Sequence, residues 1–216
     1  MKMIAVNGSP RKNWNTATLL KEAMAGAESK GARTEFIHLY DLDFKGCISC
    51  FSCKLRGGKS YGHCAVEDDL KPLLGKIEQA DALVLGSPIY LGNLTGEMRS
   101  FLERLVFQYL VYDEEMSTLL KKRIPVGLIY TMGAPEDRMR EAGYDRNAKS
   151  IDAFMSNIFG SAESIIVNDT SQFDDYSKYV APRFDPVQKE KRRREVFPED
   201  CKKAFELGAR LAGSKT

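Results

Sequence analysis

The order of apolar and amphipathic runs predicts an α/β fold with a parallel sheet covered by helices on both faces. Short apolar runs of strand length alternate with longer segments of helical spacing. The strand runs lack polar alternation, as expected of strands buried on both sides. The first and third of them break into turns rich in Asn, Gly, Ser and Pro. With 43% hydrophobic and 29% charged residues among 216, the chain has material for one sizeable core beneath a charged surface.

Met3 to Val6, followed by Asn-Gly, reads as the first strand. Residues 16 to 30 place Leu19, Leu20, Ala23, Met24 and Ala27 on one helical side. Thr34 to Leu39 reads as the second strand and Asp41 to Gly62 as a long loop. Asp68 or Asp69 can cap a helix whose Leu70, Leu73, Leu74 and Ile77 recur at helical intervals, with Pro72 in its first turn. Ala82 to Leu85 is a third strand breaking at Gly86-Ser87-Pro88. Thr95 caps the next helix, striped by Met98, Phe101, Leu102, Leu105, Val106 and Tyr109. Val126 to Tyr130 is the fourth strand, Ile151 to Phe159 marks a fourth helix, and Ser164 to Val167 a fifth strand. Residues 169 to 195 read as a polar, irregular tail, and 199 to 212 as a last helix with Cys201 on its apolar side. The domain therefore spans 1–168 and 198–216, with the tail 169–197 expected to pack across a neighbouring subunit of a homodimer or homotetramer.

Thirty-two basic and thirty acidic side chains leave a net charge of +2, too little for a general grip on nucleic acid or an anionic membrane. No apolar stretch is long enough to span a bilayer. The opening run meets Gly-Ser-Pro too soon for a signal peptide, so a cytoplasmic protein is expected. The run Lys189 to Arg194 reads as a solvated face, with pairing to a nucleotide phosphate or to an acidic redox protein as the alternatives. His38 lies in a strand pattern and is given no role.

In an open parallel sheet, ligands bind beyond the carboxyl ends of the strands. The first such loop, Asn7 to Thr16, enters a helix N-terminus, where free N–H groups and the helix dipole favour an anion. Ser9, Arg11, Asn15 and Thr16 would complete a phosphate cradle there; an ordinary capped turn is the plainer reading. The loop lacks the glycines of a dinucleotide motif and the Gly-Lys-Ser/Thr of an ATPase loop. The third loop, Gly86 to Thr95, offers close backbone approach to a flat ligand, unless Tyr90 fills core instead. Trp14 stands near enough in sequence to flank the same ligand.

The segments GSPRKNWNTATLL, from residue 8 to 20, and GSPIYLGNLTGEMRSFLERL, from 86 to 105, resemble the flavodoxin-like NAD(P)H-dependent FMN reductases, within them the iron–sulfur flavoprotein branch. The resemblance covers roughly residues 1 to 135. It implies a doubly wound five-stranded parallel sheet of order 2-1-3-4-5 that holds FMN without a covalent bond. It would set Ser9, Arg11, Asn15 and Thr16 on the FMN phosphate, and Ser87, Pro88, Ile89, Tyr90 and Asn93 on the ring and ribityl chain. Thr131, Met132 and Gly133 fall in the family's third flavin loop. The implied activity moves electrons from NAD(P)H to a small acceptor or a ferredoxin-like protein, with no catalytic side chain named. A flavodoxin-type electron carrier and a thiol- or metal-based redox sensor are the rival functions.

Cys47, Cys50 and Cys53 share the spacing that ligates one face of an iron–sulfur cube, and Cys64 would close a set of four for a 4Fe-4S cluster. The final gap, ten residues from Lys54 to His63, is longer than in the iron–sulfur branch. Zinc held by three cysteines with His63 or Cys64, a reversible Cys50–Cys53 disulfide, reactive thiolates, and a loop without metal are the competing readings.

Overall fold

The structure is a computed structural model that describes residues 1–213. In chain order it contains β1 (Lys2–Asn7), α1 (Asn15–Glu28), β2 (Arg33–His38), α2 (Leu70–Glu78), β3 (Ala82–Tyr90), β4 (Asn93–Leu94) and α3 (Gly96–Phe107). There follow β5 (Val126–Thr131), α4 (Glu136–Glu141), α5 (Tyr144–Phe159), β6 (Ala162–Val167), α6 (Pro186–Glu195) and α7 (Phe197–Gly213). Five parallel strands lie in the order β2-β1-β3-β5-β6, the flavodoxin-like order expected once the short β4 is set aside.

Side-chain alternation along the strands divides the core into two layers. Ile4, Val6, Leu83, Leu85, Val126, Leu128 and Tyr130 face α2, α3 and α5. Met3, Ala5, Ala82, Val84 and Ile129 face α1 and α7. Close approach helps to seat the second layer. A Cβ on Gly208 would stand 1.7 Å from the Ala23 carbonyl oxygen, and one on Gly86 would meet Leu20 and Thr16 at 2.7 and 2.8 Å. Cys201 packs half-buried against this second layer, and burial pushes its thiol up to about 11.

Three expectations are corrected. Residues 86 to 94 are not an open loop: β3 continues through Pro88 to Tyr90 and turns back as β4, pairing Ile89 with Leu94 and Tyr90 with Asn93. The turn residues Leu91 and Gly92 both have positive φ, 51° and 81°, as a two-residue hairpin of this hand requires. A short helix, α4, precedes α5, which itself begins seven residues before Ile151. The tail is not irregular throughout, because Asp185 accepts hydrogen bonds from the Val187 and Gln188 N–H groups and Pro186 opens α6.

The tail returns to the strand ends of its own chain. Thr170 N–H donates to the Met132 carbonyl (2.9 Å) and Asp169 N–H to that of Ala134 (2.9 Å). Lys189, buried at 4% exposure, donates to the Gly133 carbonyl (2.8 Å) and pairs with Asp169. Most of the basic run is likewise engaged within the chain: Arg192 pairs with Asp200, Arg193 stands over Trp14, and Arg194 pairs with Glu195.

Candidate functional site

The loops after β1 and β3 are joined at the rim of the sheet by backbone and hydroxyl bonds. Gly8 N–H donates to the Gly86 carbonyl at 2.8 Å. The Thr95 hydroxyl donates to the Gly8 carbonyl (2.6 Å) and accepts from Met98 N–H (3.3 Å), so the cap of α3 also fixes the first turn. Asn7 braces that turn from the end of β1, its Oδ1 accepting from Ser9 N–H (3.0 Å) while its amide donates to His38 Nδ1 (3.0 Å). That donor leaves the His38 proton on Nε2, which is buried with no hydrogen-bond partner, and burial lowers the histidine's pKa. His38 therefore supports the turn as a neutral ring.

A cavity of about 90 Å³ lies where these turns meet the end of β5. Of the expected residues, Ser9, Arg11, Asn15, Thr16, Pro88, Ile89, Tyr90, Thr131, Met132 and Gly133 line it. Ser87 and Asn93 do not. The Ser87 hydroxyl turns back to the Pro88 carbonyl and the Thr95 N–H, and Asn93 accepts from its neighbour Leu94.

Trp14, Thr170, Ser171 and Gln172 complete the wall. Arg11 donates to the Gln172 carbonyl (2.7 Å), and Trp14 Nε1 and Asn15 Nδ2 both donate to that of Ser171 (3.0 and 2.9 Å). Arg11 also lies 3.8 Å over the Trp14 ring. No local sequence signal marks 170–172 as part of the site, because the contact bridges more than 150 residues.

The local chemistry suits an anion. Helix α1 begins with no side-chain cap and no acidic residue in its first turn, so its leading N–H groups and dipole are not neutralised. The Thr16 and Thr131 hydroxyls bond each other at 2.8 Å, which uses one proton and leaves the other hydroxyl a proton to give. The enclosed space is far below the roughly 300–1,000 Å³ of pockets that engulf a small organic ligand. Pro88, Ile89 and the 42%-exposed Tyr90 border it.

The cysteine loop is built differently. Cys47, Cys50, Cys53 and Cys64 all line one small void of about 20 Å³ beside Arg104, Phe107 and Gln108 of the α3 segment. Arg104 holds the loop in place: its buried guanidinium takes both Asp68 carboxylate oxygens, the Lys45 carbonyl (3.2 Å) and the Cys64 sulfur (3.3 Å). Burial raises the Cys53 thiol, whereas hydrogen bonds from Ser52 lower that of the exposed Cys50. All five cysteines are free thiols, and among the described residues no three His, Cys, Asp or Glu side chains are placed to hold a metal. The donor set is nevertheless chemically right for iron and sulfide, with Arg104 and Lys54 beside it to offset thiolate charge.

The model of the NADPH-dependent FMN reductase family matches residues 1–141 of the 216. The chain belongs to this family. Among its curated relatives are iron–sulfur flavoproteins: it is 38% identical to one from Methanocaldococcus jannaschii over 104 residues, covering 48% of this chain and 51% of the relative. An iron–sulfur flavoprotein of Methanosarcina thermophila is 25% identical over 173 residues, 80% of each chain. The chain spans about half the length of the first curated relatives it matches. An NAD(P)H:quinone oxidoreductase from Methanothermobacter marburgensis superposes with a TM-score of 0.71 over 98% of both chains at 16% identity, which establishes the shared fold. The family match ends at residue 141, so the tail that closes the cavity lies outside it.

Proposed function

We propose that this member of the FMN reductase family binds FMN and moves electrons from NAD(P)H to a small acceptor or a ferredoxin-like protein. The observation that carries this reading is the joining of the Gly8 and Gly86 turns above the uncapped start of α1, with ten of the twelve expected residues around one cavity. Bound there, FMN supplies a centre that accepts hydride and releases electrons singly or in pairs.

The chain's own residues position the cofactor. Ser9, Asn15, Thr16 and the first N–H groups of α1 would take the phosphate, with Arg11 countering its charge. Pro88, Ile89 and Tyr90 would support the rings, and Thr131 to Gly133 would border them. The family, the fold and the cavity chemistry support this reading. An anaerobic absorption spectrum with FMN titration tests it: the expected result is paired flavin bands that bleach on adding NADPH. Protein that takes up no FMN would remove the proposal, and bound flavin that NADPH leaves oxidised would mark an electron carrier.

The cysteine loop has a second, separable reading. We propose that Cys47, Cys50, Cys53 and Cys64 hold an iron–sulfur cluster, a reading supported by the names of the curated relatives and by the four thiols sharing one void. Iron and acid-labile sulfide in stoichiometric amounts, lost in Cys53→Ser, are expected; iron-free protein after anaerobic reconstitution would end this reading.

A further inference from the structure

A second cavity, of about 630 Å³, opens on the far side of the wall formed by Gly133 and Gln172, which both cavities share. Its other walls come from α4, through Arg138, and from the tail, through Arg183, Phe184 and Gln188. The size falls within the range of small-molecule sites.

Three cationic side chains, Arg138, Arg183 and Lys189, and two carboxylates, Asp169 and Asp185, line it. Asp169 is paired with Lys189, and Asp185 is engaged by the first N–H groups of α6. Arg183 is exposed and has no hydrogen-bond or ion-pair partner among the described residues. Arg138 is engaged only with Glu141, in an exposed pair of the kind that contributes little. Phe184 adds a half-buried ring, held between the Lys189 ammonium at 4.9 Å and the edge of Tyr176.

We propose that this cavity receives the phosphate-bearing adenosine half of a reduced pyridine dinucleotide whose nicotinamide end reaches over Gly133 into the flavin cleft. Arg183 and Arg138 meet phosphate, Phe184 packs against the base, and the Gln172 and Gln188 amides supply hydrogen bonds. The inference rests on the FMN reading and adds to it a recognition site built mostly by residues beyond the family-matched segment.

The test uses the full-length, FMN-loaded protein and the adenosine bisphosphate that copies the phosphorylated half of NADPH. Direct titration of this probe reports on the site without turnover. Arg183→Ala should weaken probe binding and raise the NADPH KM about tenfold, near 1.4 kcal/mol. Retention of FMN should not change, and Arg183→Lys should recover much of the loss. Arg140→Ala, on α4 but outside the cavity, should leave probe binding unchanged. FMN-loaded protein that binds no probe, or an Arg183→Ala/Arg138→Ala double variant that binds it as well as the parent, would overturn the inference while leaving the FMN reading intact. Failure of the parent protein to take up FMN would strike the proposed function instead, so the two outcomes are distinct.

Discussion

The turn after β1 and the cysteine loop both carry candidate chemistry, yet the fold holds them by opposite means. The first is ten residues of rim, fixed by bonds to Gly86, Thr95 and Asn7 and closed by the tail. The second runs between β2 and α2 with only short helical turns at Leu39–Asp41 and Ser52–Lys54 and exposes Ile48, Phe51 and Leu55. Its attachment is concentrated on α3, at Glu103, Arg104 and Gln108. A turn secured at many points should lose little when one bond goes. A loop whose attachment is led by one buried guanidinium should lose much.

The strongest way to break that contrast is Arg104→Met. It leaves the mostly buried Asp68 carboxylate without its partner, a change that costs about 3–5 kcal/mol. Urea unfolding should show that loss, and limited proteolysis should cut between residues 45 and 66 first. FMN affinity should hold; a parallel fall would mean that the two regions form one unit.

Arg11→Ala comes next. On the proposed reading, loss of the Arg11 charge beside the phosphate should weaken FMN by about 1.5–3 kcal/mol, roughly ten- to a hundredfold. Riboflavin, which has no phosphate, is the control and should bind equally to both proteins. Smaller still is Trp14→Phe, which keeps a ring under Arg11 but deletes the donor to Ser171. It should cost about 0.5–1.5 kcal/mol in stability and free the tail, visible as faster amide exchange at 170–172.

The gentlest probe is pH. His38 has a folded pKa below its ordinary 6.5 because burial disfavours the charged ring, with Asp41 opposing and Lys12 reinforcing that effect. Below the unfolded pKa the unfolded chain binds the extra proton, so stability falls as pH drops through about 6.5. His38→Gln should flatten that part of the pH profile of unfolding. An unchanged slope would show that His38 does not contribute to it.

Much of the site was legible because strand ends and helix starts are local. Met3 to Val6 running into Asn-Gly-Ser-Pro, and Ala82 to Leu85 running into Gly-Ser-Pro, locate two turns at one edge of a parallel sheet. Thr95 announces its helix by chemistry visible in sequence, and its side chain accepts from Met98 as expected. Ser87 was ambiguous in sequence because a hydroxyl beside a proline reads equally as ligand contact or as internal brace. Here it braces Thr95. The tail was less legible: its polar composition hid α6, and its contacts with Arg11, Trp14 and Asn15 lie near the opposite end of the chain.

Sequence alone therefore determined the alternation of elements and the anion-favouring start of α1, since each follows from short-range periodicity and backbone polarity, while the strand order was implied by the family resemblance. Tertiary structure decided which carbonyls Arg11, Trp14 and Asn15 meet, that Lys189 is buried against Gly133, and that Arg104 is buried against the cysteine loop. Those contacts join residues far apart in the chain. Their geometry exists only after the sheet has brought the strand ends together, and no local pattern encodes that distance.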